Sequence, residues 1–448
     1  MGKDNISVSV IGLGKLGIPI AACYASKGYT TIGVDVTQRT IDLLNHGQSP
    51  IYEPHLQEKL DESGGRLTAT MDTQDAVRRT DMSFVVVPTP SEAEGGFSLK
   101  YILDACREIG TALRDKNSRH VVVITSTVMP GSTDGPIRET LEHHSGKRCG
   151  VDFGLCYSPE FIALGSVVHD LLFPDFLLVG VSDEETGDQV TAFYSSVVES
   201  NPPFARMNNV NAELAKLSVN TYVTTKITFA NMLARICERL PGADSDVVTW
   251  ALGLDSRIGR KYLKGSIAYG GPCFPRDNKA LAHLARQLDV PATIAVATDE
   301  SNHNETALLV NRVLAILPPD GKVGILGLAY KPSTDVVTES PGVALAQALL
   351  DQGITVYGFD PAAGANAQRA LGDRLHIAES IDHCVELSDV IVVTVPDPIY
   401  RTISPAAIAR EGTPRVVVDC WRLLDPKDLG GADYFALGRY EPAAKVKL

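Results

Sequence analysis

Several absences narrow what this 448-residue chain can be. Its eight cysteines include no CxxC pair and no Cys/His spacing of the zinc-binding kind, so neither a metal site nor a disulfide scaffold is indicated. It has no excess of positive charge: the formal net charge is −13, which argues against a general binder of nucleic acid or acidic membrane. An anionic small ligand would need Lys and Arg gathered locally. No apolar run reaches membrane-spanning length. A first strand beginning at Ile6 leaves no room for a signal peptide, so a cytoplasmic protein with reduced thiols is expected. What is present is a globular composition, 44% apolar and 21% charged, in a chain too long for one core.

The first half carries a dinucleotide fingerprint. A β-branched strand from Ile6 to Ile11 meets Gly12-x-Gly14-x-x-Gly17, an apolar helix runs to Gly28, and a second strand, Thr30 to Val34, ends in Asp35. Gly12 makes the turn, Gly14 lets backbone approach a pyrophosphate, and Gly17 lets helix and strand pack closely. The pyrophosphate belongs at the positive helix N-terminus. Asp35 suits a ribose hydroxyl and repels a 2′-phosphate, which favours NAD over NADP. Further buried-type strands, Met82 to Pro90 and His120 to Ser132, end in Pro, Thr and Ser. Ligands bind beyond the carboxyl ends of parallel strands, so Thr89, Ser126 and Thr127 are cleft candidates; capping of the following turns explains any one of them equally well.

The last third echoes this layout. "KVGILGLAY" (322–330) resembles "VSVIGLGKL", Asp360 follows its strand as Asp35 does, and "SDVIVVTVPDP" and "RVVVDCW" repeat the later strands. Gly324-x-x-Gly327 is followed by "KPSTDVVTESP" where a third glycine belongs, so this copy is expected to bind something other than a dinucleotide. The expected fold is α/β, with two doubly wound Rossmann-like domains, 1–203 and 319–448, around a helical domain at 204–318. Pro202-Pro203 and Leu317-Pro318-Pro319 mark the joins. Asn211 to Glu238 holds no Pro or Gly and predicts a spine helix of roughly 40 Å. A dimer built along it and a helix buried within one subunit are both open.

In "IAYGGPCFPRDNKAL" (267–281), Cys273 precedes a helix expected over Asn278–Gln287, with Arg276 near. A helix N-terminus or a cation stabilises a thiolate. Gly270 and Gly271 permit unusual backbone angles and close approach of a ligand. The other cysteines sit in ordinary strands, helices and loops, where buried inert thiols are the norm. Lys216 and Asn220, four apart, share a helical face, and Asp277 follows the thiol by four residues. A thiol beside an NAD fold points to aldehyde oxidation through a thiohemiacetal and a thioester.

At these residues the chain resembles the UDP-glucose/GDP-mannose dehydrogenase family. The motifs are "IGLGKLG", "PIYEP", "VVPTP", "TSTVMPGST", "SPEF", "AELAKLSVNTYVTTKITFAN", "DSRIGRKYLKGS", "YGGPCFPRD", "ILGLAYKPSTD" and "ESP", spread over nearly all of it. The resemblance implies a four-electron oxidation of a nucleotide sugar's C6 hydroxymethyl to a carboxylate, using two NAD⁺ and one water. It implies Cys273 as nucleophile, Lys216 as stabiliser of the alkoxide, and Asp277, with Thr127 and a water, as proton handler. Glu160 would assist proton transfer and, with Phe161 and Leu164, line the sugar; Asn220 would contact sugar and oxyanion. Gly12, Gly14, Gly17, Asp35, Thr89, Thr127, Glu160 and Arg276 match the family's NAD contacts. Tyr262, Lys264 and the stretch through Tyr269 and Gly270 match its loop around the nucleotide. Lys331 matches a diphosphate-facing lysine, and Arg422 a late arginine beside the sugar. Arg257 matches an arginine that crosses to a partner's sugar site, which implies a homodimer through the central helix. A UDP-sugar is the expected substrate.

Three positions depart from the family pattern. Leu164 stands where UDP-glucose enzymes usually have an acid, Thr338 where arginine is frequent, and Pro272 where serine is usual. Leu164 makes the sugar environment more apolar, which suits an N-acetyl or otherwise altered hexose. Two alternatives remain: a two-electron dehydrogenase of the hydroxyacid type, which needs no thiol, and a non-catalytic sensor of NAD or nucleotide sugar. The cysteine turn and the second Rossmann-like copy oppose the former. Retention of Lys216, Asn220, Cys273 and Asp277 together opposes the latter.

Overall fold

The β-branched runs of the sequence become neighbouring parallel strands. In the computed structural model, which describes residues 6–440, the chain divides into two units, Met1–Ser218 and Val219–Leu448. The first is built on an eight-stranded sheet: β1 (Ser7–Ile11), β2 (Thr30–Val34), β3 (Leu67–Thr70), β4 (Met82–Val85), β5 (Val121–Ile124), β6 (Gly154–Tyr157), β7 (Leu177–Val181) and β8 (Phe204–Asn208). Their order is β3-β2-β1-β4-β5-β6-β7-β8, parallel except where β7 runs against β6. Such strands are apolar on both faces because helices cover both. Val8, Val10 and Phe84 pack with Tyr24 and Phe193 on one side, and Val85, Val122 and Ile124 pack with Ile102 and Ile109 on the other. The strand order reverses between the parallel neighbours β1 and β4, the switch point where doubly wound folds bind ligands.

The second unit contains the echo. Strands β9 (Val323–Leu326), β10 (Val356–Phe359), β11 (Leu375–Ile377), β12 (Val390–Val393), β13 (Val416–Asp419) and β14 (Asp433–Ala436) form a parallel sheet ordered β11-β10-β9-β12-β13-β14. This repeats the order of the first six strands of the other sheet.

The spine helix spans Asn209–Cys237, about 44 Å at 1.5 Å per residue. It starts in the first unit and continues into the second. Shorter helices follow at Ser245–Leu254, Phe274–Gln287, Thr293–Ile316 and Pro341–Leu350. The helix after the thiol begins at Phe274, four residues earlier than expected, because Pro275 fits a first turn that needs no N–H from it. Among the described residues, no helix is long and apolar enough to cross a membrane.

Candidate active site

In the first unit, the carboxyl ends of β1, β2, β4, β5 and β6 lead to Gly12, Asp35, Thr89, Thr127 and Glu160 respectively. The glycines divide their work by geometry. Gly12 has φ +99°, and a Cβ there would lie 2.5 Å from the Val86 carbonyl oxygen. A Cβ on Gly17 would lie 1.8 Å from the Gly12 oxygen, so this glycine brings helix Gly17–Ser26 onto the turn. Gly14 has nothing within 4 Å, and no side chain caps the helix start. Open space in front of uncapped N–H groups fits a pyrophosphate. The Asp35 carboxylate accepts from Leu13 N and Thr37 N, each at 2.8 Å, which fixes it beside the glycine turn. A carboxylate has about four acceptor positions, so capacity remains for ribose hydroxyls. These residues fit NAD. Thr89 is buried and Thr127 half-buried, while Ser126 donates to the Val87 carbonyl at 2.7 Å and so braces the strand ends.

Glu160 and Lys216 meet here as well. Lys216 is 7% exposed; its Nζ donates to the Glu160 backbone oxygen at 2.5 Å and lies 4.3 Å from the Phe161 ring centre. Phe161 packs in turn on Phe176, with ring centres 4.7 Å apart. Burial raises the Glu160 carboxyl to a pKa of about 7, against the opposing pull of the Lys216 charge. It therefore titrates where a general acid or base is most useful.

The spine helix holds these loops by residues that the sequence reading passed over. Glu213, fully buried, accepts from Gly131 N at 2.6 Å and Thr133 N at 2.8 Å, while Asn209 accepts from Tyr157 N at 3.2 Å and donates to Asp134 at 2.8 Å. Burial raises the pKa of Glu213. Glu53 of "PIYEP" accepts from Gly165 N at 2.9 Å and Val167 N at 2.8 Å, fixing the loop that carries half-buried Leu164. Polar residues 209, 213, 216 and 220 recur at spacings of four, three and four, a helical stripe visible in the sequence.

In the second unit, Cys273 occupies the N-cap of helix Phe274–Gln287 and is exposed. Six of the other seven cysteines are buried and Cys149 is half-buried. Asp277, only 1% exposed, closes the first turn by donating its N–H to the Cys273 carbonyl at 2.9 Å. Its carboxylate accepts from Asn220 Nδ2 at 2.6 Å and lies 3.3 Å from Arg276 Nε. Asn220, Asp277 and Arg276 are thus brought together one turn from the thiol.

The other expected contact residues lie in the second unit. The close approach at Gly270 and Gly271 is made by the chain itself. A Cβ on Gly270 would lie 2.0 Å from the Glu339 oxygen, and one on Gly271, at φ +87°, 2.6 Å from the Tyr330 ring. The "KPSTDVVTESP" segment therefore packs on the thiol turn. The Tyr269 hydroxyl is engaged internally, accepting from Asn278 Nδ2 at 2.7 Å. Arg422, with a side chain 1% exposed, pairs with both oxygens of Asp246 at 2.7 and 2.8 Å and donates to the Gly265 and Leu437 carbonyls. It ties loops together instead of presenting a free cation. Arg257 is exposed and held by Asp255 at 2.6 Å. Tyr262 and Lys264 are exposed, Tyr262 at φ 64° with its ring centre 6.3 Å from that of Phe274 and the two rings at 76°. Lys331 Nζ stands 5.9 Å from the Tyr330 ring centre.

Comparison with known proteins covers almost the whole chain. Three models of the UDP-glucose/GDP-mannose dehydrogenase family match in succession: the NAD binding domain at 6–198, the central domain at 210–304 and the UDP binding domain at 324–426. GDP-mannose 6-dehydrogenase of Pseudomonas aeruginosa is 36% identical over 407 residues, 88% of this chain and 92% of that one. UDP-glucose 6-dehydrogenase AglM of Haloferax volcanii is 34% identical over 436 residues, covering 96% of this chain and 100% of its own. A solved UDP-glucose dehydrogenase from Pyrobaculum islandicum superposes with a TM-score of 0.87 at 33% identity, covering 98% of this chain and 99% of that one.

Proposed function

Because the chain belongs to the UDP-glucose/GDP-mannose dehydrogenase family of NAD-dependent nucleotide-sugar 6-dehydrogenases, we propose that it oxidises the C6 hydroxymethyl of a UDP-sugar to the uronic acid through a covalent intermediate on Cys273. UDP-glucose and a UDP-N-acetylhexosamine are the substrates favoured. The observation that carries this reading is the exposed thiol at a helix N-terminus, one turn from buried Asp277 and its hydrogen bond to half-buried Asn220. The UDP binding domain match supports the choice of nucleotide.

Bound NAD⁺ supplies the hydride acceptor for both oxidations. Lys216, as ammonium, stabilises the alkoxide left when the C6 hydroxyl loses its proton. The Cys273 thiolate, favoured by the helix N-terminus, then adds to the aldehyde carbon. After the second oxidation the sugar is held as a thioester. A water that gives its proton toward Asp277 attacks it, the C–S bond breaks, and the carboxylate leaves with the thiolate restored. Glu160, titrating near neutrality, takes and returns protons at the sugar end together with Thr127. Eight free cysteines support a cytoplasmic setting.

The test counts NADH. Wild type should release two per sugar from one member of a panel: UDP-glucose, UDP-N-acetylglucosamine, UDP-N-acetylmannosamine, UDP-galactose and GDP-mannose. Cys273→Ala should yield no uronic acid; carboxylate at the wild-type rate sinks the covalent route.

We also propose a homodimer through the spine helix. Tyr222, Phe229, Met232 and Ile236 stand 46–65% exposed on it, at spacings of seven, three and four. An apolar stripe of that kind is costly to leave in water. Sedimentation should give twice the chain mass, falling to the monomer when Phe229 and Ile236 are replaced by Glu; a monomeric wild type would contradict it.

A further inference from the structure

The stretch Ser266–Gly271 leads into the thiol turn, is largely buried and belongs to no strand. Buried peptide groups need partners, and here two side-chain amides provide them. Asn231, on the spine helix, accepts from Ser266 N at 2.8 Å and donates Nδ2 to the Ile267 carbonyl at 2.9 Å. Asn302, on helix Thr293–Ile316, accepts from Tyr269 N at 2.8 Å and donates to the Tyr269 carbonyl at 3.0 Å. The two are 1% and 8% exposed. Asn302 bonds both peptide groups of one residue, as a strand neighbour does, and Asn231 bridges the N–H of one residue and the carbonyl of the next; each is presented by a helix. Among short neutral side chains, the amide offers a strong donor and a strong acceptor on one plane. Aspartate keeps only the acceptor, and an apolar residue leaves both peptide groups unpaired.

Other contacts complete the frame. Arg235 donates to the Ser266 carbonyl at 2.5 Å, and the Ser266 hydroxyl to the Cys420 carbonyl at 2.7 Å. The segment after β9 supplies another grip, where Gly271 N donates to the Thr338 carbonyl at 3.1 Å. Glu339, whose carbonyl abuts Gly270, sits at φ 52°, a conformation held only where its surroundings over-determine it. Ser266 and Tyr269 are pinned. Among the described residues, the N–H groups of Ile267, Ala268 and Gly270 bond to no protein acceptor, so the clamps hold Ser266 and Tyr269 and leave the peptide N–H groups between and after them unspent beside the thiol turn.

We infer that Asn231 and Asn302 are positioning residues for the thiol turn, two amide clamps that set the height of Cys273 and the facing of the peptide groups before it. This rests on the reading of Cys273 as the nucleophile. Two measurements test it on the full chain. The first is the rate at which iodoacetamide alkylates Cys273 in substrate-free protein, followed by peptide mass, with thermal midpoints alongside. Asn302→Ala and Asn302→Asp should both change that rate at least threefold and lower the NADH yield from two toward one. Aspartate nearly preserves volume, so a packing role alone would leave Asn302→Asp like wild type; that result overturns the inference. The second needs no variant. Amide exchange in the wild type should find Ser266 and Tyr269 at least a hundredfold slower than Ala268 and Gly270, and equal rates also overturn it. Alkylation and amide exchange require no turnover, so uronic acid from Cys273→Ala would defeat the proposed chemistry without touching the clamps.

Discussion

The two Rossmann-like copies solve one packing problem alike and present different surfaces. In the first, Gly17 lets its helix rest on the Gly12 oxygen; in the second, Gly342 lets helix Pro341–Leu350 rest on the Gly327 oxygen, where a Cβ would come within 2.1 Å. The third glycine of the second fingerprint is therefore displaced, not lost. What separates the copies is the chain between: residues 13–16 in one, 328–341 in the other. The short connection leaves an uncapped helix start and empty space over Gly14. The long one caps its helix with Ser340, whose Oγ lies 3.4 Å from Val343 N, and sends Tyr330, Thr338 and Glu339 against the thiol turn. Helix-to-strand packing is thus kept while the connection, and with it the surface beyond the strand ends, changes.

The sharpest way to break this comparison is a glycine series. Gly17→Ala and Gly342→Ala each drive a Cβ into a backbone oxygen, and both should cost about 3 kcal/mol, the upper end for overpacked positions. Gly14→Ala meets nothing within 4 Å, so its stability should stay within about 0.5 kcal/mol of wild type. Its affinity for NAD⁺ should fall about tenfold, or roughly 1.4 kcal/mol, because the methyl occupies the pyrophosphate's place. Denaturant midpoints and NAD⁺ titration give these values. A Gly342→Ala variant as stable as wild type would remove the equivalence on which the comparison stands.

Much of the fold was legible because its signals are local. β-branched runs, glycine turns and a 29-residue helix free of Pro and Gly announce themselves within short windows. The fingerprint Asp35 was readable for the same reason, and Asn220 and Asp277 each through spacing and motif resemblance; the hydrogen bond that joins those two across 57 residues was not. Gly342 was not, since a motif of fixed spacing cannot cross an insertion. Asn231 and Asn302 were missed because their partners lie more than thirty residues away in sequence, at Ser266, Ile267 and Tyr269. Arg422 is the converse case: resemblance led to the expectation of a sugar contact, while tertiary structure pairs its charge with Asp246.

The acids that close each second strand extend the contrast to a smaller effect. Asp35 accepts two backbone N–H groups, from Leu13 and Thr37. Asp360 accepts four, from Leu328, Ala329, Ala362 and Ala363, at 2.8–2.9 Å, which occupies the acceptor positions of a carboxylate. Asp360 is thus a structural clasp at the mouth of the long connection, and Asp35 keeps capacity for a ligand. Asp360→Ala should lose about 2 kcal/mol of stability, in the range of hydrogen bonds to a charged group, with NAD⁺ affinity unchanged. Asp35→Ala should lose about half as much stability but admit NADP⁺, raising its affinity relative to NAD⁺ about tenfold as the repulsion of a 2′-phosphate disappears. Paired titrations with the two cofactors measure the ratio, and an unchanged ratio in Asp35→Ala would mean that this carboxylate does not face the ribose.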